Sequence, residues 1–307
     1  MIMSLILNKE TFSALHKHLN VFIKFFFILA MQAHFLHPQE TSCLPAEDDE
    51  RVVIAGGSIT EIFYLLEIEE RIIALDITST YPEEAKNFPS IGYVRMLSAE
   101  GLLSMNPSII LGENDMGPPA VIEQVIQTGV ELQIIPEEKS LQGILDKIRC
   151  VAGIMDVSSY ADSLINETYI NKIIQIEENK EKNLAKNISA MVIYSMQGTS
   201  PIVSGAGESG DAFLKLIGAK NAFASIEGWK PASAESIVAN DPDYIIVTNR
   251  LLKRFSSIEE LKNHPSLAQT TAARSNQIVA KDGMAMMGFG PRTIDCALSV
   301  SRTFSSK

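Results

Sequence analysis

RVVIAGGSITEIFYLL, running from Arg51 to Leu66, decides how this chain folds. RVVIA is a continuous β-branched run of strand length, GGS is a tight turn, and ITEIFYLL places Ile59, Ile62, Phe63 and Leu66 on one helical face. A strand buried on both faces that turns straight into a helix is the opening of a parallel α/β unit. The pattern continues outward from there. RIIALD reads as a second strand, SIILG as a third, AVIEQVIQTG as a helix ending at Gly129, ELQIIP as a strand and SLQGILDKIRCVAGIM as a helix. Such short alternation predicts a parallel sheet wrapped by helices.

The segment Ser158 to Asn187 carries no strand signal, no proline and no glycine, with apolar positions at Leu164, Ile165, Tyr169, Ile173, Ile176 and Leu184. It predicts one helix of roughly thirty residues, about 45 Å at about 1.5 Å per residue. A helix of that length joins or braces two bodies. The first pattern then returns, with AMVIYSM as a strand, GAGESG as a loop, a helix, DPDYIIVTN as a strand, QIVAK as another and a closing helix after Pro291.

Two blocks repeat in order between the halves. Gly57, Glu61 and Leu66 match Gly207, Asp211 and Leu216, and Ser98-Ala99-Glu100 with Pro107 matches Ser233-Ala234-Glu235 with Pro242. The expected fold is therefore α/β, two Rossmann-like lobes with parallel sheets bridged by one long helix, and a ligand cleft between them. The expected division is a leader over 1–43, a first lobe over 44–156, the bridge over 157–189 and a second lobe over 190–307.

The leader differs from the rest. Lys9, His16, Lys17 and His18 precede an apolar run from Val21 to Leu36, whose uninterrupted part, Phe25 to Ala33, is too short to span a bilayer. This is an export pattern and predicts a periplasmic protein. Cys43 offers the alternative of a lipid-anchored N-terminus, on a poor local signal. The three cysteines, Cys43, Cys150 and Cys296, are too scattered to predict a disulfide framework or a metal cluster, and Cys150 and Cys296 read as core residues. A formal net charge of −11 excludes nucleic acid as a partner, which needs a basic face, but leaves open an anionic small ligand.

Catalytic sets are thin. Four of the five histidines lie in the leader and the fifth, His264, is in a turn. GAGESG, Gly205 to Gly210, fits the dinucleotide fingerprint and keeps open a Rossmann-type enzyme. Tight-turn geometry alone explains the same glycines. The richer stretch is IGYVRMLSAE, Ile91 to Glu100, where a tyrosine follows a glycine and an arginine stands two residues on.

With RVVIAGGSITEIFYLL, SAESIVANDPDYIIVT and MGFGPR, that stretch resembles the periplasmic haem-binding proteins of bacterial haem ABC importers, from about Arg51 to the C-terminus. The G-Y-x-R-x-L-S-x-E-G pattern is the specific part. Corrinoid and siderophore binders of the same fold share the other segments. The resemblance implies a non-enzymatic, monomeric carrier in which Tyr93 is the axial ligand of haem iron and Arg95 supports its oxygen. It also implies that Glu100 and Glu235 dock on arginines of an ABC permease. No residue here matches the histidine that gives some relatives a second haem. From their position in loops after second-lobe strands, Arg250, Arg254, Met286, Met287 and Arg292 are candidates for the far wall, the arginines toward propionates and the methionines toward the porphyrin face. A corrinoid or ferric siderophore on the same fold stays open as an alternative ligand.

Overall fold

The structure is a computed structural model, and it describes residues 43–306. The expected leader and its cleavage site lie outside those residues. No helix among the described residues is long and apolar enough to cross a membrane.

In the first lobe, β1 (Val52–Ala55), β2 (Ile72–Leu75), β3 (Ile109–Gly112) and β4 (Glu131–Ile134) form one sheet in the order β2-β1-β3-β4. Every pairing is parallel. The residues of β1 are wholly buried because helices cover both faces. Those helices are α1 (Gly57–Leu65), α2 (Ala99–Leu103), α3 (Pro119–Gln127) and α4 (Leu141–Ile154). The expected bridge runs as α5 (Ser158–Thr168) and α6 (Ile170–Ala185). Tyr169 alone falls outside them, and the ladder passes through it, since its N–H donates to Ile165 and its carbonyl accepts from Ile173 at 2.9 Å each.

The second lobe holds β5 (Ser189–Gln197), β6 (Ser200–Ser204), β7 (Lys220–Asn221), β8 (Trp229–Pro231), β9 (Tyr244–Thr248) and β10 (Ile278–Lys281). Its order is β10-β9-β5-β6-β8, with β7 beside β5. Here the sheet is mixed. β9 and β10 are parallel to β5 as the alternation predicts, whereas β6 runs antiparallel to both its neighbours, β5 and β8. The reason is local: Gly198, at φ 60°, turns β5 back on itself as a hairpin. The helices of this lobe are α7 (Ser209–Leu216), α8 (Ala234–Asn240), α9 (Asn249–Leu252), α10 (Ile258–Lys262), α11 (Thr271–Arg274), α12 (Gly283–Met287) and α13 (Pro291–Ser305).

One apolar core runs through both lobes, from Val52, Ile62 and Phe63 by way of Ile148, Ile165 and Ile176 to Phe213, Ile294 and Phe304. The bridge is clipped to the second lobe by buried amides. Asn183 donates to the carbonyl of Ile217 at 2.8 Å, and Asn179 to the hydroxyl of Ser301 at 3.2 Å. A buried amide needs such partners, so these contacts fix the helix in one register.

The cysteine reading is corrected. Cys43 and Cys150 are disulfide-bonded across a separation of 107 positions, with their Cα atoms 4.8 Å apart. The segment after Cys43 is tied against α4 by the bond from Ala46 N–H to the Ile154 carbonyl, and this brings two distant cysteines together. With its sulfur in that bond, Cys43 is not the site of a lipid anchor. Cys296 is free and buried, as expected of a core residue.

Candidate functional site

The loop carrying Tyr93 is built by alternation. Ile91, Val94 and Leu97 are buried in the first lobe's second core, while Tyr93 and Met96 are left 37% and 77% exposed. Backbone bonds hold the loop at both ends. Ile91 N–H donates to Leu75, Gly117 N–H to Val94 and Leu97 N–H to Gly117, each at 2.9 Å. Gly92 has φ 93°, a region that a side chain would strain. Its carbonyl accepts from Ile77 N–H, bringing exposed Ile77 beside the tyrosine loop. The phenol is therefore left exposed on a loop held by backbone bonds at both ends.

Arg95 is exposed beside it, and its guanidinium donates to Asp115, with Nε and Nη2 both 2.7 Å from one carboxylate oxygen. That bond raises the arginine's pKa above its ordinary value, and the charges of Tyr93 and Glu208 act in the same direction. Among the described residues Arg95 makes no hydrogen bond to Tyr93, so Asp115 holds the cation expected to support the phenolate oxygen. Asp115 went unrecognised in the sequence, although the polar loop after β3 lies at a sheet's carboxyl edge, where ligands gather.

Glu208, in the second lobe's Gly205–Gly210 loop, is the last of the charges that raise the Arg95 pKa. The lobes touch at α12, where a Cβ on Gly57 would stand 2.7 Å from the Met284 methyl group. Beside that contact, Ser58 donates to Glu113 through its backbone N–H at 3.0 Å and its hydroxyl at 2.6 Å. Lys147, wholly buried, donates to the Ser58 hydroxyl and to Glu137. Burial pushes the Glu113 carboxyl up to about 7, against the pull of Lys147 and of the Ser58 bonds.

The other candidates divide. Arg250 and Arg254 line a cavity of about 210 Å³ with Tyr194, Ser195 and Leu251. Arg254 also donates to the Met196 carbonyl at 3.2 Å. Met286 is fully buried in the core and Met287 packs against it, so Met286 does not line the cleft; Met284 is the methionine at the lobe contact. Arg292 is engaged with buried Glu61 through Nε at 2.9 Å and Nη2 at 2.6 Å, and with the ring of Tyr81 at 3.9 Å. It joins α13 to α1. Glu100 and Glu235 occupy matched places, each exposed and second in its helix, behind Ser98 and Ser233 whose hydroxyls cap α2 and α8. Hydrogen bonds from its own backbone and Ser233 lower the Glu235 pKa.

The Gly205–Gly210 loop lacks the dinucleotide context, because its preceding strand β6 is antiparallel to β5. Its glycines answer to packing. A Cβ on Gly205 would stand 2.4 Å from the Ile226 carbonyl, and Gly207 has φ 80°. Gly207 N–H donates to Asp211 within the loop itself. His264 bonds only its own turn, accepting from Ser266 N–H at 3.3 Å, and no cluster of three metal-ligating side chains occurs among the described residues.

The two-lobed fold matches the comparisons. The profile of the periplasmic binding protein family covers residues 52–283, well over half of the chain. The chain belongs to that family. Among solved structures it is similar to the periplasmic heme-binding protein RhuT from Roseiflexus sp. RS-1 in apo form, with a TM-score of 0.74 and 31% identity over 84% of this chain and 99% of that one. Among curated proteins it is 23% identical to the uncharacterized ABC transporter substrate-binding lipoprotein YvrC of Bacillus subtilis (strain 168), covering 81% of this chain and 78% of the relative. It is 24% identical to the vitamin B12-binding protein of Pectobacterium atrosepticum, covering 64% and 71%. Family and fold are those of substrate-binding transport proteins.

Proposed function

We propose that this periplasmic binding protein is a non-enzymatic haem carrier that delivers Fe(III) protoporphyrin to an ABC permease. The observation that carries the reading is Tyr93: a phenol left exposed on a loop that Ile91, Val94 and Leu97 anchor in the core. Ferric iron is a hard acid and phenolate oxygen suits it. Arg95, held by Asp115, supplies a cation on the same loop. Ile77 and Met96 supply apolar surface for the macrocycle around that bond. Arg250 and Arg254, which line a cavity in the second lobe, offer donors to carboxylate side chains of the ligand. Glu100 and Glu235, matched across the pseudo-symmetry, are the docking pair for basic residues of the permease. Similarity to a structure described as heme-binding, at 31% identity, supports the same ligand.

The similarity to vitamin B12-binding proteins favours a corrinoid as the second reading. A cobalamin arrives with its cobalt already ligated and gains little from an exposed phenol, so Tyr93 argues for haem. Titrating the purified protein separately with haemin and with cyanocobalamin, followed by absorption, decides between them. Saturable spectral change with haemin alone is the expected result. Saturable binding of cyanocobalamin without haemin binding would reject the haem reading.

A further inference from the structure

The first half of α1 forms a seam with the second lobe. A Cβ on Gly57 would stand 2.7 Å from the Met284 methyl group, and one on Gly290 would stand 3.0 Å from the Ser58 Cβ. A glycine from each lobe lets the two chains approach this closely. One turn further along α1, Glu61 is 6% exposed and takes two bonds from Arg292 at the start of α13. Its other oxygen, Oε2, lies 3.3 Å from the would-be Gly290 Cβ and has no partner among the described residues. The buried carboxylate thus leans on a cation of the opposite lobe.

Arg292 does not lean on Glu61 in the same way. Its Nη1 stands 3.2 Å from Asp282 of its own lobe, which is itself fixed as the N-cap of α12 by accepting from Ala285 N–H at 2.9 Å. The guanidinium also lies over the ring of Tyr81, in the first lobe. Tyr81 belongs to the loop after β2. Asp76 ties the root of that loop, accepting from Gly56 N–H at 3.0 Å and Thr78 N–H at 2.9 Å. In the same loop Ile77 N–H donates to Gly92, the residue before Tyr93. Parting the lobes at this seam would leave Arg292 paired with Asp282 and release Glu61 to water. One cation then has two arrangements, which is what a hinged closure requires.

We propose that Arg292 is an interlobe latch: bonded to Glu61 and stacked on Tyr81 it holds the lobes at one separation, and paired with Asp282 alone it lets them open. The latch reaches the Tyr93 loop through Tyr81 and Ile77, so Arg292 is a positioning residue whatever ligand the cleft takes. The test places spin labels on the full-length protein at Glu123→Cys in α3 and Glu259→Cys in α10, both exposed. With Cys43 and Cys150 bonded and Cys296 buried, the two introduced thiols take the labels. The distance between them is measured without ligand. The protein with its native latch is expected to give one narrow distribution. Glu61→Gln with Arg292→Gln, a neutral pair that strands no buried charge, is expected to give a broader distribution with a longer mean. Amide exchange over Ile77–Tyr81 is expected to rise at least about fivefold in that variant. Asp282→Asn, which still caps α12, is expected to keep the narrow distribution because Glu61 continues to hold the arginine. Native distances and exchange in the folded double variant would overturn the latch. A broad distribution with the native latch in place would overturn it as well, and that arm does not depend on the variant folding.

Discussion

Glu113 shows what a single residue adds beyond its sequence. In the linear chain it follows a buried strand and carries no motif; in the fold it accepts two bonds from Ser58 beside buried Lys147, at the edge of the cleft. Burial raises its pKa to about 7 from an ordinary 4.5. A carboxyl whose folded pKa is raised contributes stability that is fully present below its unfolded value and is lost as pH rises through the folded one. Stability should therefore fall between about pH 4.5 and 7, by about 1–3 kcal/mol. Glu113→Gln should remove that fall, as read by urea melts at pH 5 and pH 8; an unchanged slope would show that Glu113 does not titrate there. Tyr93 was legible in the sequence because glycine, tyrosine and arginine stand in one short run. Asp115 and Glu113 were not, because what matters about them is a partner 20 or 55 positions away.

At the scale of elements, the first sheet was readable because β1, β2 and β3 are unbroken apolar runs and its helices start at clear turns. The hairpin of β5 and β6 was less so. Its turn is only Gly198-Thr199, and the mixed sheet follows from that one reversal. The link between α1 and α13 was hidden too, since Glu61 and Arg292 are 231 positions apart. Burial raises the Glu61 pKa while Arg292 opposes it, and one carboxylate oxygen has no partner among the described residues. Removing the arginine would strand a buried charge. Arg292→Ala should cost about 3 kcal/mol in denaturant melts at pH 7, and adding Glu61→Gln should recover much of it. A loss below about 0.5 kcal/mol would mean the pair behaves as an ordinary surface ion pair.

Across the whole molecule, two lobes with one shared core leave matched features on each half. Glu100 and Glu235 stand second in equivalent capped helices. The repeat in the sequence already held this symmetry. The Cys43–Cys150 bond was outside its reach, because only the packed chain brings those sulfurs together. Should the matched carboxylates serve the permease, Glu100→Lys with Glu235→Lys would leave haemin affinity unchanged and reduce transporter-dependent uptake at least tenfold, about 1.4 kcal/mol of docking energy; undiminished uptake would reject that role. The account as a whole depends on the phenol at position 93 bonding ferric iron. Absorption titration of haemin into the wild-type protein and Tyr93→Phe tests this most directly. A changed haem spectrum with a dissociation constant raised at least tenfold, about 1.4 kcal/mol, is the expected result, whereas superimposable spectra and equal affinity would contradict it.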